Sequence, residues 1–263
     1  PQHSLPSLPI ELLRHAAERM QPWDFAAFAR ACAACHLAAG AATPTILKVV
    51  LGQRLARRSG PQITNTLCRQ HPHLVVPTGV SEIGARAFLG CTELESVVLP
   101  MGVVSVGLDA FADCTNLVAA ELPPSLRMIE HGAFYGCQSL GSIALPAECG
   151  AIGTKAFWGC ESLVVVTIPV TLRAIQTGMF MDCTALEHVA VPAGSALWVI
   201  GPYAFAGCAT LRSVELPNTV VSIHSHAFEG CVGLDAACRE EIRRIRPDAV
   251  FHMADDGPER WWW

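Results

Sequence analysis

The sequence predicts a solenoid of about seven 23-residue turns with a parallel sheet, preceded by a small all-α N-terminal unit and closed by a C-terminal helix. Three observations predict this fold class. The motif Ala-Phe-x-x-Cys, or a near copy, recurs seven times, with five steps of 23 residues and one of 25. An alternating apolar segment that ends in proline accompanies each copy. The first 58 residues show alanine-rich helical spacing and no trace of the period.

Residues 1–58 are expected to form the helical unit. Apolar residues at helical spacing define a first helix that ends before Pro22, and a second helix follows it. Thr43 and Pro44 are typical of the cap and first position of a third helix. A linker over residues 59–73 then leads to the repeats.

Residues 74–237 hold the repeats. Each contains a Leu-x-x-Val-x-Leu segment or a variant of it, which alternates like a strand with one buried face, and the proline after it cannot donate to a ladder. We therefore expect parallel strands stacked roughly 4.8 Å apart, with one repeat per turn. Each motif phenylalanine is expected to fill the coil interior. These residues are Phe88, Phe111, Phe134, Phe157, Phe180, Phe205 and Phe228.

The residue before each motif cysteine is glycine or aspartate, and both tolerate a left-handed backbone. A corner with positive φ is predicted at each of these positions. They are Gly90, Asp113, Gly136, Gly159, Asp182, Gly207 and Gly230.

Seven of the twelve cysteines occupy one column of the repeat, where we expect reduced thiols that pack as small apolar residues, which favours an intracellular location. Cys32, Cys35 and His36 match a haem-attachment string, and Cys32 and Cys35 with Cys68 and His71 offer ligand types for zinc. The alternative for the cysteine pair is a buried helix face. We expect no cofactor and no metal.

Residues 238–263 are expected to form a capping helix and tail. The amphipathic pattern of the helix begins at Ala236, extends to Arg246, and directs Ile242 and Ile245 inward, so that the helix closes the open end of the core.

Composition excludes several classes of function. A net charge of −5, with no basic run longer than an arginine pair, argues against a nucleic-acid partner. No 18-residue stretch escapes charge, proline and glycine, so we expect no membrane span. No nucleophile, acid/base pair or phosphate-binding loop is apparent, and we expect no enzymatic activity. No signal-peptide pattern opens the sequence, although one could have been removed before Pro1.

The repeat pattern resembles the leucine-rich repeat superfamily, specifically its BspA-like or treponemal class. The consensus Leu-x-x-Ile-x-Leu-Pro, Leu-x-x-Ile-Gly, Ala-Phe-x-x-Cys is matched over about residues 74–237. This resemblance implies a protein-binding scaffold. The residues that carry it most clearly are Leu140, Ile143, Leu145, Pro146, Ile152, Gly153, Ala156, Phe157 and Cys160.

The N-terminal unit resembles an F-box, a helical module that docks on a Skp-type adaptor. The resemblance implies that Leu8, Pro9, Leu12 and Leu13 contact the adaptor and that the chain is a substrate receptor of a cullin-type ubiquitin ligase. The alternative is a plain helical cap on a cell-surface or secreted BspA-like protein that acts in adhesion or recognition.

A partner protein is expected on the strand face, where positions between core residues point outward. A two-residue insertion around residues 194–199 brings Trp198, and insertions in solenoids often lie on a binding face, with neutral loop variation as the alternative. The expected partner-binding residues are Val98, Val118, Glu121, Ala144, Val164, Val165, Thr167, Glu187, His188, Arg212 and Glu215.

Overall fold

The computed structural model describes residues 72–76 and 78–251. These residues form a solenoid in which each turn contributes two short parallel strands, one to each of two sides of the coil. Within the described ranges there are fourteen strands and one helix. The fold class predicted from the 23-residue period is confirmed for this part of the chain.

The first side of the solenoid is a seven-stranded parallel sheet in the order β1-β3-β5-β7-β9-β11-β13. Neighbouring strands pair in a register of one repeat, as in His73 with Ser96 and Val97 with Ala120. β1 begins at His73, which the sequence analysis places at the end of the linker. The strands are β1 His73–Val75, β3 Ser96–Val98, β5 Ala119–Glu121, β7 Ser142–Ile143, β9 Val165–Thr167, β11 His188–Ala190 and β13 Ser213–Val214.

The second side is a set of two-residue strands that the sequence analysis does not anticipate. They form a four-stranded sheet, β2-β4-β6-β8, and a three-stranded sheet, β10-β12-β14. Ile175 pairs with Ile200, so the inserted residues leave the register intact and are absorbed in the turn before β12. The strands are β2 Glu82–Ile83, β4 Ser105–Val106, β6 Met128–Ile129, β8 Ala151–Ile152, β10 Ala174–Ile175, β12 Val199–Ile200 and β14 Ser222–Ile223.

The motif phenylalanines form one stacked row inside the coil. All seven are at most 1% exposed, and consecutive rings lie 5.0 to 5.6 Å apart between centroids with interplanar angles of 4° to 13°. The expected interior position is confirmed. Stacking between neighbouring rings adds to the stabilisation that burial provides. Each ring therefore helps to hold its own turn against the turns beside it.

The motif cysteines form a second buried row, and each is a free thiol. From Cys114 onward, each thiol donates a hydrogen bond to the carbonyl oxygen of the motif phenylalanine in the preceding turn. The distance from sulfur to oxygen is 3.1 Å between Cys114 and Phe88 and 3.3 Å between Cys160 and Phe134. Each of these carbonyls also accepts the backbone N–H of the motif cysteine in its own turn, so the thiol supplies a second hydrogen bond that links successive turns.

All seven predicted corners have positive φ, from 56° at Asp182 to 76° at Gly207. A second column of corners, four residues earlier in the turn, also has positive φ in six turns, including non-glycine residues such as Lys155 and Tyr203. This second column could not be predicted from the sequence, because its residue types are too varied to form a pattern.

Helix α1, Ala236–Ile245, closes the C-terminal end of the solenoid. The side chain of Asp235 caps it by accepting a hydrogen bond of 2.7 Å from the backbone N–H of Cys238. Ile242 is buried, as expected, and Phe251 is buried beside it beneath the guanidinium groups of Arg239 and Arg243. No helix in the described ranges is long and apolar enough to cross a bilayer.

Candidate functional site

The candidate site is the outward surface of the seven-stranded sheet, which we call the strand face. Because side chains alternate along a strand, the residues on either side of each buried strand residue point to solvent. Stacking in register then aligns equivalent residues of successive turns in columns, as in Val98 beside Glu121 and His188 beside Val165.

A strip of mostly small and apolar side chains occupies the middle of the strand face, with Glu121 as its one exposed charge. Val118 is 56% exposed, Val164 41% and Val165 46%. The outward residues of the turn between them are small, Gly141, Ser142 and Ala144 in place of larger side chains. A partner that covers apolar area of this kind gains binding free energy, because the area is removed from water.

The N-terminal end of the strand face is polar. Nδ1 of His73 lies 3.0 Å from Oγ of Ser96, and Nε2 of the same ring lies 3.6 Å from the carboxylate of Glu95. The strip is therefore bounded at this end by a histidine whose orientation is set by its neighbours in the next turn.

A similar arrangement bounds the C-terminal end. Nδ1 of His188 lies 2.9 Å from Oγ of Ser213, and the carboxylate of Glu187 lies 3.9 Å from Nε of Arg212 and 4.0 Å from Nε2 of His188. Exposed ion pairs of this kind contribute at most about 1 kcal/mol, so these charges matter more for partner selection than for stability.

The structure brings the predicted partner-binding residues together on one surface. Val118, Glu121, Ala144, Val164, Val165, Thr167, His188, Arg212 and Glu215 are exposed. Val98 and Glu187 are partly buried. His73 was missed, although the one-repeat spacing from Ser96 was a signal that could have identified it. The predicted adaptor-binding residues Leu8, Pro9, Leu12 and Leu13 lie outside the described residues.

The arrangement is suited to contact rather than chemistry. In the part of the chain that the structure describes, no three histidine, cysteine or acidic side chains are placed to hold a metal ion. Burial raises the pKa of Cys149 to about 11 and that of Cys231 to about 12, which keeps both thiols protonated and poorly nucleophilic at neutral pH. The cysteines and the two histidines considered for haem or zinc lie outside the described residues.

A family model for the BspA type leucine rich repeat region matches residues 66–187 and 180–253 in six copies. The chain belongs to the BspA-type leucine-rich repeat family. Membership accounts for the solenoid and indicates a repeat scaffold for protein interaction. The match indicates no enzyme family.

Solved structures agree with this assignment. The chain is 36% identical to the leucine-rich repeat protein of T. pallidum, TpLRR, with a TM-score of 0.66 over 69% of this chain and 86% of that one. It is 21% identical to a leucine-rich repeat protein from Eubacterium ventriosum, with a TM-score of 0.56 over 70% of this chain and 49% of that one, a likeness in fold alone. Comparison with curated proteins gave no match.

The family model matches no residue of the N-terminal segment that resembles an F-box, because the match begins at residue 66. Neither the Skp-type adaptor nor the intracellular location expected from the sequence gains support from it. The similar structures are bacterial repeat proteins, which agree better with the alternative of a BspA-like recognition protein.

Proposed function

We propose that this chain is a recognition module that acts at the cell surface or after secretion and binds a partner protein through the strand face. The mostly apolar strip around Val118, Val164 and Val165 is the observation that carries the proposal. Family membership and the likeness to bacterial repeat proteins support the setting. The ubiquitin-ligase interpretation depends on the segment outside both the described residues and the family match, so we do not propose it.

The physical basis of the proposal is the contrast between the strip and its ends. A partner that covers the strip removes branched apolar side chains from water, and because each is already about half buried, covering the rest is worth about 1 kcal/mol per side chain. The charges near the C-terminal end of the strip, Glu187 and Arg212, lie at its rim, where they favour partners of complementary charge. The strip would supply affinity and the rim would supply selectivity.

The test is surface-specific photo-crosslinking of the full chain. One variant carries a photoreactive amino acid in place of Val165. The other carries it in place of Val221, which directly precedes β14 on the opposite side of the solenoid. Each variant is incubated with extracellular proteins from the native environment and irradiated. We expect a discrete adduct at position 165 only. A Val118→Asp/Val165→Asp double variant should weaken binding of the purified adduct partner at least tenfold, whereas Val221→Asp, at a side chain 67% exposed, should leave it unchanged.

Two outcomes would overturn the proposal. Equal adducts at both positions, or undiminished partner binding by the double variant, would remove the strand face as the binding surface. Protease treatment of intact source cells tests the setting separately, since a protein at the surface is cleaved while a cytoplasmic control is not. Protection of the chain in cells that remain intact, with none secreted, would contradict a surface or secreted role.

A further inference from the structure

A groove crosses the second side of the solenoid, away from the strand face. It has a volume of about 540 Å³ and lies over β8, between β6 on one side and β10 on the other. At this place the backbone pairing of the second side is interrupted, because the four-stranded sheet ends with β8 and the three-stranded sheet begins with β10. The first side is also weakly paired here, with a single registered pair, Ser142 with Val165.

The groove exists because one turn carries glycine at two positions where both neighbouring turns carry large polar side chains, and alanine where the preceding turn carries methionine. Gly150, Ala151 and Gly153 form its floor. In the preceding turn the equivalent positions are Arg127, Met128 and Glu130, and in the following turn they are Arg173, Ala174 and Gln176. The two walls are therefore two turns apart, or roughly 10 Å, which is enough for one extended chain.

One wall of the groove carries an unpaired cation. Every other lysine or arginine within residues 72–76 and 78–251 has an acidic, carbonyl or aromatic partner, as Arg127 has in the carbonyl oxygens of Pro124 and Leu126. The side chain of Arg173 is exposed and has no hydrogen bond or ion pair within those ranges, while its backbone carbonyl accepts a hydrogen bond from the N–H of Trp198. A guanidinium in this position offers a planar, bidentate site for a carboxylate.

The carboxylate already in the groove does not satisfy this arginine. Glu130 lines the opposite wall, and its Oε2 accepts a hydrogen bond of 2.9 Å from the backbone N–H of Leu108, in the turn before. His131, also on that wall, is paired with the hydroxyl of Thr154. The polar groups opposite Arg173 are therefore engaged with the protein, and Met128 adds an apolar surface.

We propose that this groove binds an extended polypeptide segment that carries an acidic side chain, with its carboxylate paired to Arg173 and an apolar side chain packed on Met128. The interrupted pairing between β8 and β10, the roughly 10 Å between the two walls and the unpaired guanidinium together favour such a segment. No phenylalanine, tyrosine or tryptophan lines the groove as a ring on which a sugar could stack. Trp198 lies one turn beyond Arg173, is 52% exposed and does not line the groove.

The experiment uses the full chain and two fluorescent peptides, one of alternating valine and glutamate and the other with glutamine in place of glutamate. We expect fluorescence anisotropy to show about fivefold tighter binding of the glutamate peptide, the upper end for an exposed ion pair. Arg173→Gln should abolish this preference. Arg212→Gln, which removes an exposed arginine of the strand face, is the matched control and should preserve it.

A second variant tests the groove itself. Ala151→Met places a methionine in the floor of the groove. Met128 occupies the paired position of the preceding turn, so we expect the fold to tolerate the substitution while its side chain fills the groove. We expect weaker binding of both peptides, with an unchanged melting temperature. Val165→Asp should leave peptide binding intact, which separates this site from the strand face.

Three results would overturn the inference. The first is equal affinity for the two peptides. The second is an equal loss of preference in the Arg212→Gln control, which would reveal unspecific charge attraction. The third is tighter binding of an oligogalacturonate, an acidic saccharide, than of the glutamate peptide, which would assign the groove to a saccharide instead.

Discussion

The carboxylate of Asp113 fills the space that Gly136 leaves by having no side chain. A Cβ atom built on Gly136 would lie 2.6 Å from Oδ1 of Asp113, closer than such contacts occur. Each described aspartate in the corner columns is followed one turn later by a glycine in the same relation, as in the pairs Asp109 with Gly132 and Asp182 with Gly207. The residue type at a corner therefore depends on the corner residue of the neighbouring turn as well as on the need for positive φ.

This pairing predicts unequal costs for two glycine substitutions in the same column. Gly136→Ala and Gly159→Ala both place a side chain at positive φ, which costs about 1–2 kcal/mol. Only Gly136→Ala also meets a carboxylate, since a Cβ on Gly159 would lie 3.6 Å from its nearest neighbour. We expect urea denaturation to show Gly136→Ala as the more destabilising by about 1 kcal/mol or more. An Asp113→Ala background should remove the difference, and a persistent difference would contradict the pairing.

The stacked row of rings predicts a gradient along the solenoid. Phe134 lies between two motif rings, at 5.3 and 5.5 Å, whereas Phe228 stacks on Phe205 at the end of the row. Phe134→Ala should lower the free energy of unfolding by about 3–5 kcal/mol, and Phe228→Ala by about 1 kcal/mol less, because one aromatic pair fewer is lost. Denaturation monitored by circular dichroism measures both. Equal losses would show that ring stacking adds little to burial.

The buried thiols predict a loss of stability at alkaline pH. Burial raises the pKa of Cys231 to about 12 from its ordinary value of 9.0. Because the folded state keeps the proton and the unfolded chain releases it, this contribution is complete below about pH 9 and is lost as the pH rises toward the folded-state pKa. Burial raises the pKa of the thiols of Cys114, Cys137, Cys160 and Cys208 in the same direction.

We expect each of these thiols to reduce the free energy of unfolding by about 1.4 kcal/mol per pH unit above pH 9. Denaturation at successive pH values between about 8 and 10.5 gives the slope. Cys160→Ala should reduce the slope of the free energy of unfolding against pH by the contribution of one thiol. The exposed control Glu240→Ala should leave the slope unchanged. A slope that Cys160→Ala leaves unaltered would contradict the assignment to the cysteine row.

The C-terminal cap predicts a local effect. Asp235 caps α1 through its hydrogen bond to the N–H of Cys238, so Asp235→Ala should cost about 1 kcal/mol. Hydrogen exchange should speed up first in α1 and in the adjoining strand β14, because the helix closes that end of the core. Asp235→Asn, which can keep the cap, is the control, and equal losses in both variants would argue against capping.

The repeated pattern was enough to predict the interior. Phe157 and Cys160 recur at a fixed spacing with the same character in every turn, so any arrangement other than a shared core would leave seven aromatic rings in water. The second side could not be predicted in the same way. A two-residue strand such as Ala151–Ile152 is too short to alternate, and only pairing with the next turn makes it a strand.

The candidate sites divide along the same line. The strand face followed from alternation, so its exposed valines could be named from the sequence, whereas His73 was assigned to the linker because the pattern ahead of the first complete repeat is weak. The groove depends on one turn being smaller than both of its neighbours, a comparison between residues 23 apart on a side that was not recognised as a sheet.

By itself, the sequence determined the period, the direction in which each repeat faces, and the corners that require positive φ, because these depend on residue types that recur within one turn. Only the tertiary structure decided which side chains meet across turns. It placed Asp113 over the gap at Gly136, joined His188 to Ser213, and left the guanidinium of Arg173 beside a groove with no partner among the described residues. These relations depend on the exact stacking of one turn on the next, since the distances that decide them are a few ångströms and no local pattern encodes them.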